Sequence, residues 1–206
     1  MRTIGASLSL FLLSFLTACS GVQSGGDVQP GRYALRRGDS KAALAHFQRA
    51  ANADPNYVTN FTLLKQGVWT YVGRAQYDAG NLAEARKALE RADSLHNDDA
   101  LADLYLGLAL AREGDRDRGR REIEEGLTGL ASWLDNIRVH PDGQFWDPDR
   151  RIRTQIQQDL ALLGKKDFNW PDMISRGEYI GIRVDDEIEW ASRRWRREQR
   201  NNTDEE

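Results

Sequence analysis

Cysteine occurs once in this chain of 206 residues, so no internal disulfide can staple the fold. Histidine occurs three times, at His46, His96 and His140, each far from the others and without a second ligand at metal-site spacing. His140, Asp142, Asp147 and Asp149 do cluster in sequence, but turn formation and helix capping account for those residue types. No glycine-rich loop joins a strand to a helix to cradle phosphate, and no serine or cysteine nucleophile has a plausible base beside it. These absences predict a non-enzymatic protein with no metal and no cofactor. Charge of one sign is lacking too: 29 basic residues stand against 32 acidic ones, a net −3 that gives no global attraction to nucleic acid. No apolar run reaches the roughly 20 residues that span a bilayer. Only five prolines interrupt a chain rich in Ala, Leu, Arg, Glu and Asp, which predicts a mostly helical body.

The positive signals start at the first residues. Arg2 supplies a positive charge, Ile4 to Leu16 form a short apolar run, and Thr17-Ala18 provide small residues before the cysteine. That order is the grammar of a secretory signal. Leu16-Thr17-Ala18-Cys19 resembles a bacterial lipobox, and the resemblance implies cleavage after residue 18 and lipidation of Cys19. Proteins with this motif carry three acyl chains, and two already make anchoring stable. Ser20, in place of the Asp that tends to retain such lipoproteins in the inner membrane, implies the periplasmic face of the outer membrane. Residues 1–18 are thus expected as the signal peptide. Residues 19–30, which are Gly-, Ser- and Gln-rich, are expected as a lipidated flexible tether.

Self-similarity organises the middle of the chain. Gly38-Asp39 is followed by Ala43, Phe47, Ala50 and Asp54-Pro55, and Gly80-Asn81 by Ala85, Leu89 and Ala92 at the same offsets. Leu106-Gly107 and Gly114-Asp115 start a third copy, with Gly114 34 residues after Gly80. Trp69 and Gly73 sit where the tetratricopeptide pattern has its W and G. The chain therefore resembles the tetratricopeptide repeat family over residues 31–139, which implies a short all-α solenoid of antiparallel helix pairs. Gly38, Gly80 and Gly114 are expected to end the first helix of each pair. Gly73, Ala85, Ala92 and Gly107 are expected where helices approach closely, with Phe47, Trp69 and Leu89 filling the gaps. The first pair is read with a short leading helix. The stretch from 34 to 42 residues between the first two copies is read as a helical extension over Thr59 to Gln66.

Beyond the repeats, Ile123, Leu127, Leu130, Leu134 and Ile137 recur as the stripe of a packed helix, stopped by His140-Pro141-Asp142-Gly143. Asp147-Pro148-Asp149 reads as a cap, a first-turn proline and a first-turn acid. The helix after it carries Ile152, Ile156, Leu160 and Leu163 and stops at Gly164. From Asn169 a long helix places Met173, Gly177, Gly181, Val184, Ile188, Ala191 and Trp195 on one face, in preference to a strand over Tyr179 to Val184. Residues 140–200 are expected as extra C-terminal helices packing on the solenoid, and 201–206 as a disordered tail.

Function is expected in the concave groove, which in tetratricopeptide proteins is lined by the first helix of each pair. The carried-over positions are Arg32, Leu35 and Arg36, then Thr70, Arg74, Tyr77 and Asp78, then Leu104, Leu108 and Arg112. Four arginines against one acid make a basic strip suited to carboxylates. Two ligands fit it: an acidic or C-terminal segment of an envelope protein, or this chain's own Asp185, Asp186, Glu187 and Glu189. The first makes the chain a periplasmic adaptor or assembly factor, in plan like secretin pilotins, barrel-assembly lipoproteins and adaptors of cell-wall hydrolases. The second makes it a structural subunit whose partner binds the outer face. The run Arg193-Arg194-Trp195-Arg196-Arg197 adds a third surface, suited to anionic lipid headgroups or to electrostatic steering.

Overall fold

The computed structural model describes residues 19–61 and 63–204, and the expected signal peptide, residues 1–18, lies outside them. The described chain is predominantly α-helical, as composition predicts. The elements are α1 (Cys19–Arg36), α2 (Ser40–Ala53), β1 (Val58–Phe61), β2 (Leu64–Gly67), α3 (Val68–Asp78), α4 (Leu82–Leu95), α5 (Ala100–Glu113) and α6 (Arg116–Ile137). A 3-10 turn (Pro141–Phe145), α7 (Arg151–Leu163) and α8 (Trp170–Asp204) complete the order.

One local device recurs three times. Gly38, Gly80 and Gly114 adopt φ of +76°, +78° and +100°, where a side chain is strained, and so end α1, α3 and α5 as expected. The next residue starts the following helix: Asp39 accepts a bond from the Ala42 N–H at 3.0 Å, and Asp115 from the Arg118 N–H at 3.3 Å. The two helices then meet through a missing side chain. A Cβ at Gly31 would lie 2.4 Å from Phe47, one at Gly73 2.4 Å from Leu89, and one at Gly107 2.5 Å from the Ile123 backbone nitrogen. In each pair the glycine precedes its contact by the same number of residues, so three successive pairs are packed by one rule.

Two expectations about the repeats are corrected. Residues 19–30 are not a loose tether but most of α1, which is 18 residues long. Gly25, Gly26 and Pro30 are poor helix formers, yet tertiary contacts outweigh them. Val28 is fully buried with Phe47, and Asp27 bonds Arg49 at 2.8 Å and His46 at 3.0 Å across to α2. The eight extra residues between the first two copies do not lengthen a helix either. They form an antiparallel hairpin pairing Val58 with Gly67 and Phe61 with Leu64. Val58, Thr59 and Phe61 suit a pleated surface, and the Thr59 hydroxyl bonds Tyr71 Oη at 2.8 Å, which fastens the hairpin to α3.

Asp99 locks the other side of the hairpin. Its buried carboxylate accepts bonds from the Gly67 N–H at 2.7 Å, the Thr70 hydroxyl at 2.5 Å and the Ala102 N–H at 3.1 Å. Burial pushes this carboxyl up, and those three donors oppose the shift. It is the cap of α5 and the anchor of β2 at once.

The C-terminal part follows the sequence reading more closely. Ile123, Leu127, Leu130, Leu134 and Ile137 are all fully buried on α6. Trp146 stacks edge-on against Trp133, with centroids 5.1 Å apart. Asp147 caps α7 from further upstream than expected: the helix begins at Arg151, and the carboxylate reaches the Ile152 and Arg153 N–H groups at 3.0 and 3.1 Å. Pro148 therefore lies outside the helix, in a turn where Asp147 and Arg150 take positive φ. α8 is one helix of 35 residues, with no strand at Tyr179 to Val184. It buries Met173, Gly177, Gly181, Val184, Ile188 and Ala191 as predicted, but Trp195 is 45% exposed, at the edge of a cavity of about 280 Å³ that it shares with Phe61, Phe145 and Trp146. Residues 201–204 belong to this helix rather than to a disordered tail.

Candidate functional site

α8 lies across the face formed by α1, α3 and α5, and two glycines let it in. A Cβ at Gly177 would come 2.7 Å from Leu108, and one at Gly181 would come 2.2 Å from the Tyr105 hydroxyl. The backbone of α8 thus rests directly on α5, which brings its acidic side chains within reach of the arginines.

At the centre, Arg74 Nη1 donates to Asp185 Oδ1 at 3.1 Å and Nη2 donates to Asp185 Oδ2, a two-pronged pair in which Arg74 is 2% exposed. The guanidinium also covers the Tyr105 ring at 4.6 Å. Burial alone would lower the pKa of Arg74, but Asp185 more than reverses that and holds it well above the ordinary arginine value. Burial pushes the Tyr105 phenol up to about 12, with Arg74 opposing. Towards one end, the Tyr77 hydroxyl donates to Glu178 at 2.6 Å, and Arg112 stacks on Tyr77 at 4.8 Å while facing Glu178 at 3.9 Å. Towards the other, Arg36 lies 3.7 Å from both Asp186 and Glu189, and Arg32 lies 3.5 Å from Glu189.

Of the positions carried over from the sequence, Arg32, Arg36, Arg74, Tyr77, Leu108 and Arg112 do come together along one face, and α8 is what they touch. Thr70 does not: its hydroxyl is spent on Asp99. Leu104 is fully buried in the core instead of presented at the face. Asp78 lines what remains of the groove, a cavity of about 450 Å³ shared with Arg36, Tyr77, Arg112 and Ile182. Burial raises its carboxyl pKa, against the opposing pull of Arg74.

A larger hollow of about 810 Å³ has no counterpart among the sequence expectations. It lies between the hairpin, the start of α5 and α6, with Leu64 and Trp133 beside Asp103, Arg121, Glu125 and Thr128, and no residue of α8 lines it. The hairpin forms one wall, so reading that segment as helix hides the feature. Asp103 is pushed up to about 7, first by burial and then by Asp93, Glu125, Asp99 and Glu122. Because this acid holds its proton more tightly in the folded state, its contribution to stability is complete below the ordinary 3.8 and is lost as pH rises through about 7. Asp103→Asn is therefore expected to gain about 1–2 kcal/mol at pH 8, after allowance for solvent screening, and almost nothing at pH 4. Urea midpoints of the two proteins at both pH values check this, and an equal gain at both would contradict it.

Among the described residues, no helix is long and apolar enough to cross a membrane, and no group of three or more His, Cys, Asp or Glu is placed to hold a metal ion. No family model matches the chain, and no curated protein matches it.

Proposed function

We propose that this chain is a lipid-anchored envelope protein with a tetratricopeptide-type solenoid, acting as a non-enzymatic interaction subunit whose groove is filled in cis by α8. The Arg74–Asp185 pair carries this reading, because the most buried arginine of the basic strip already holds a carboxylate from its own chain. Arg32, Arg36 and Arg112 repeat the pattern with Glu189, Asp186 and Glu178. Three glycine-mediated helix pairs at one spacing support the repeat assignment. Leu16-Thr17-Ala18-Cys19 supports the anchor and, with Ser20, the periplasmic face of the outer membrane.

A partner then meets the surface that α8 leaves open, and the hollow between the hairpin and α6 offers apolar floor and charged rim for a docking segment. The adaptor reading, in which a partner's acidic segment lies along the arginines, requires α8 to leave first. A photo-crosslinking residue at Ser132, on the rim of that hollow, is expected to trap an envelope protein in living cells. One at Ile182, beside the groove, is expected to trap none. Crosslinking at Ile182 alone would replace the cis-filled subunit with the groove adaptor.

A further inference from the structure

The contacts of α8 fix its direction. Leu108 and Tyr105 of α5 meet Gly177 and Gly181, and Tyr77 and Arg74 of α3 meet Glu178 and Asp185. Arg36 of α1 meets Asp186, and Arg32 meets only Glu189. In all three cases a later residue of α8 faces an earlier residue of its neighbour, so α8 runs antiparallel to α1, α3 and α5. Its C-terminal end therefore lies at the end of the molecule where α1 begins. From Arg32 back to Cys19, and from Glu189 forward to Asp204, each helix continues for about 20 Å at 1.5 Å per residue. The first residue of α1 and the last turns of α8 thus extend to similar distances on one side of the body.

The chemistry of that end differs from the rest of α8. Arg32, Arg36, Arg74, Arg112 and Arg194 all have carboxylate partners. Arg193, Arg196 and Arg197 are exposed and make no ion pair among the described residues; Glu189, one turn before Arg193, faces Arg32 and Arg36 instead. Trp190, 43% exposed, precedes the run on the same side of the helix as Arg193 and Arg197, whereas Trp195 lies within the run on the side that faces Phe61 and Trp146. Unpaired arginines beside a half-exposed indole suit a bilayer interface, where the ring sits at headgroup level and the cations meet phosphate.

We infer that the arginine-bearing C-terminal end of α8 binds the surface of a bilayer carrying anionic phospholipid headgroups, as a second membrane contact beside the Cys19 end of α1. The juxtaposition with a lipid anchor rests on the proposed lipoprotein function; the charge and aromatic pattern does not. Two contacts on one side would hold the solenoid at a fixed attitude to the membrane, with the hairpin turned toward it.

The test uses residues 19–206 carrying Cys19→Ser, so that no acyl chain contributes, in sedimentation with phosphatidylcholine vesicles with and without phosphatidylglycerol. The protein is expected to bind only the anionic vesicles, less tightly as salt rises. Arg193→Gln/Arg196→Gln/Arg197→Gln is expected to weaken binding on the order of 100-fold. These side chains are exposed, so an unchanged melting curve shows that the variant is folded. Binding that ignores phosphatidylglycerol or the triple change overturns the inference, and so does preferential binding of a duplex oligonucleotide. Mass measurement of the envelope protein tests the anchor separately: an unmodified Cys19 overturns the lipoprotein reading while the vesicle result stands on its own.

Discussion

Arg74→Met is expected to lower the stability of this protein by about 3–5 kcal/mol, a third or more of what a domain of this kind possesses. The large figure comes from the residue left behind. Asp185 is buried too, and without the guanidinium its charge loses the arginine that it is paired with. A hydrophobic pair need not share that penalty, since well-packed apolar residues can replace a buried ion pair at little net cost. Arg74→Met/Asp185→Leu is thus expected to recover most of the loss. Urea unfolding of the wild type, both single variants and the double variant gives the coupling directly. A coupling near zero would mean that α8 is not seated on α3 in solution. Arg112→Met, whose pair with Glu178 is half exposed, should cost no more than about 1 kcal/mol in the same assay.

How far this arrangement is legible beforehand depends on what kind of signal a residue sends. The Gly-Asp and Gly-Asn turns and the apolar stripes of α6 and α8 are local and periodic, and they read correctly. The groove arginines fall along one face as a set because each sits on the first helix of a pair, but that the face is covered by α8 is not legible from their spacing. The hairpin escapes a sequence reading because eight inserted residues carry no period of their own, and the bonds that hold it, Thr59 to Tyr71 and Gly67 to Asp99, reach distant residues. α1 misleads for the opposite reason: Gly25, Gly26 and Pro30 give a plain local signal, and Phe47 and Arg49 of the next helix override it. Thr70 looks like a groove residue by position alone. Its partner Asp99 belongs to another repeat, so no reading of spacing could assign it.

Gly181→Val is expected to detach α8, and the sign of the effect separates seating from mere helix formation. In a free helix, glycine is worse than alanine by about 1 kcal/mol, so a side chain at this position would be stabilising there. Here a Cβ would stand 2.2 Å from the Tyr105 hydroxyl and 2.7 Å from its ring. That ring cannot move aside: it lies edge-on to Tyr77, with centroids 5.6 Å apart, and beneath the Arg74 guanidinium. Gly181→Val should therefore cost about 2–4 kcal/mol, combining overpacking with the loss of ion pairs that need α8 close. The expected readouts are a lower melting temperature, new binding of a hydrophobic dye, and faster amide exchange throughout residues 177–191. Gly26→Ala supplies the opposite case. It sits in α1 with nothing within 4 Å of its would-be Cβ, so it should raise stability by about 0.5–1 kcal/mol. If both substitutions stabilise, α8 does not occupy the groove, and the arginines are open to a partner after all.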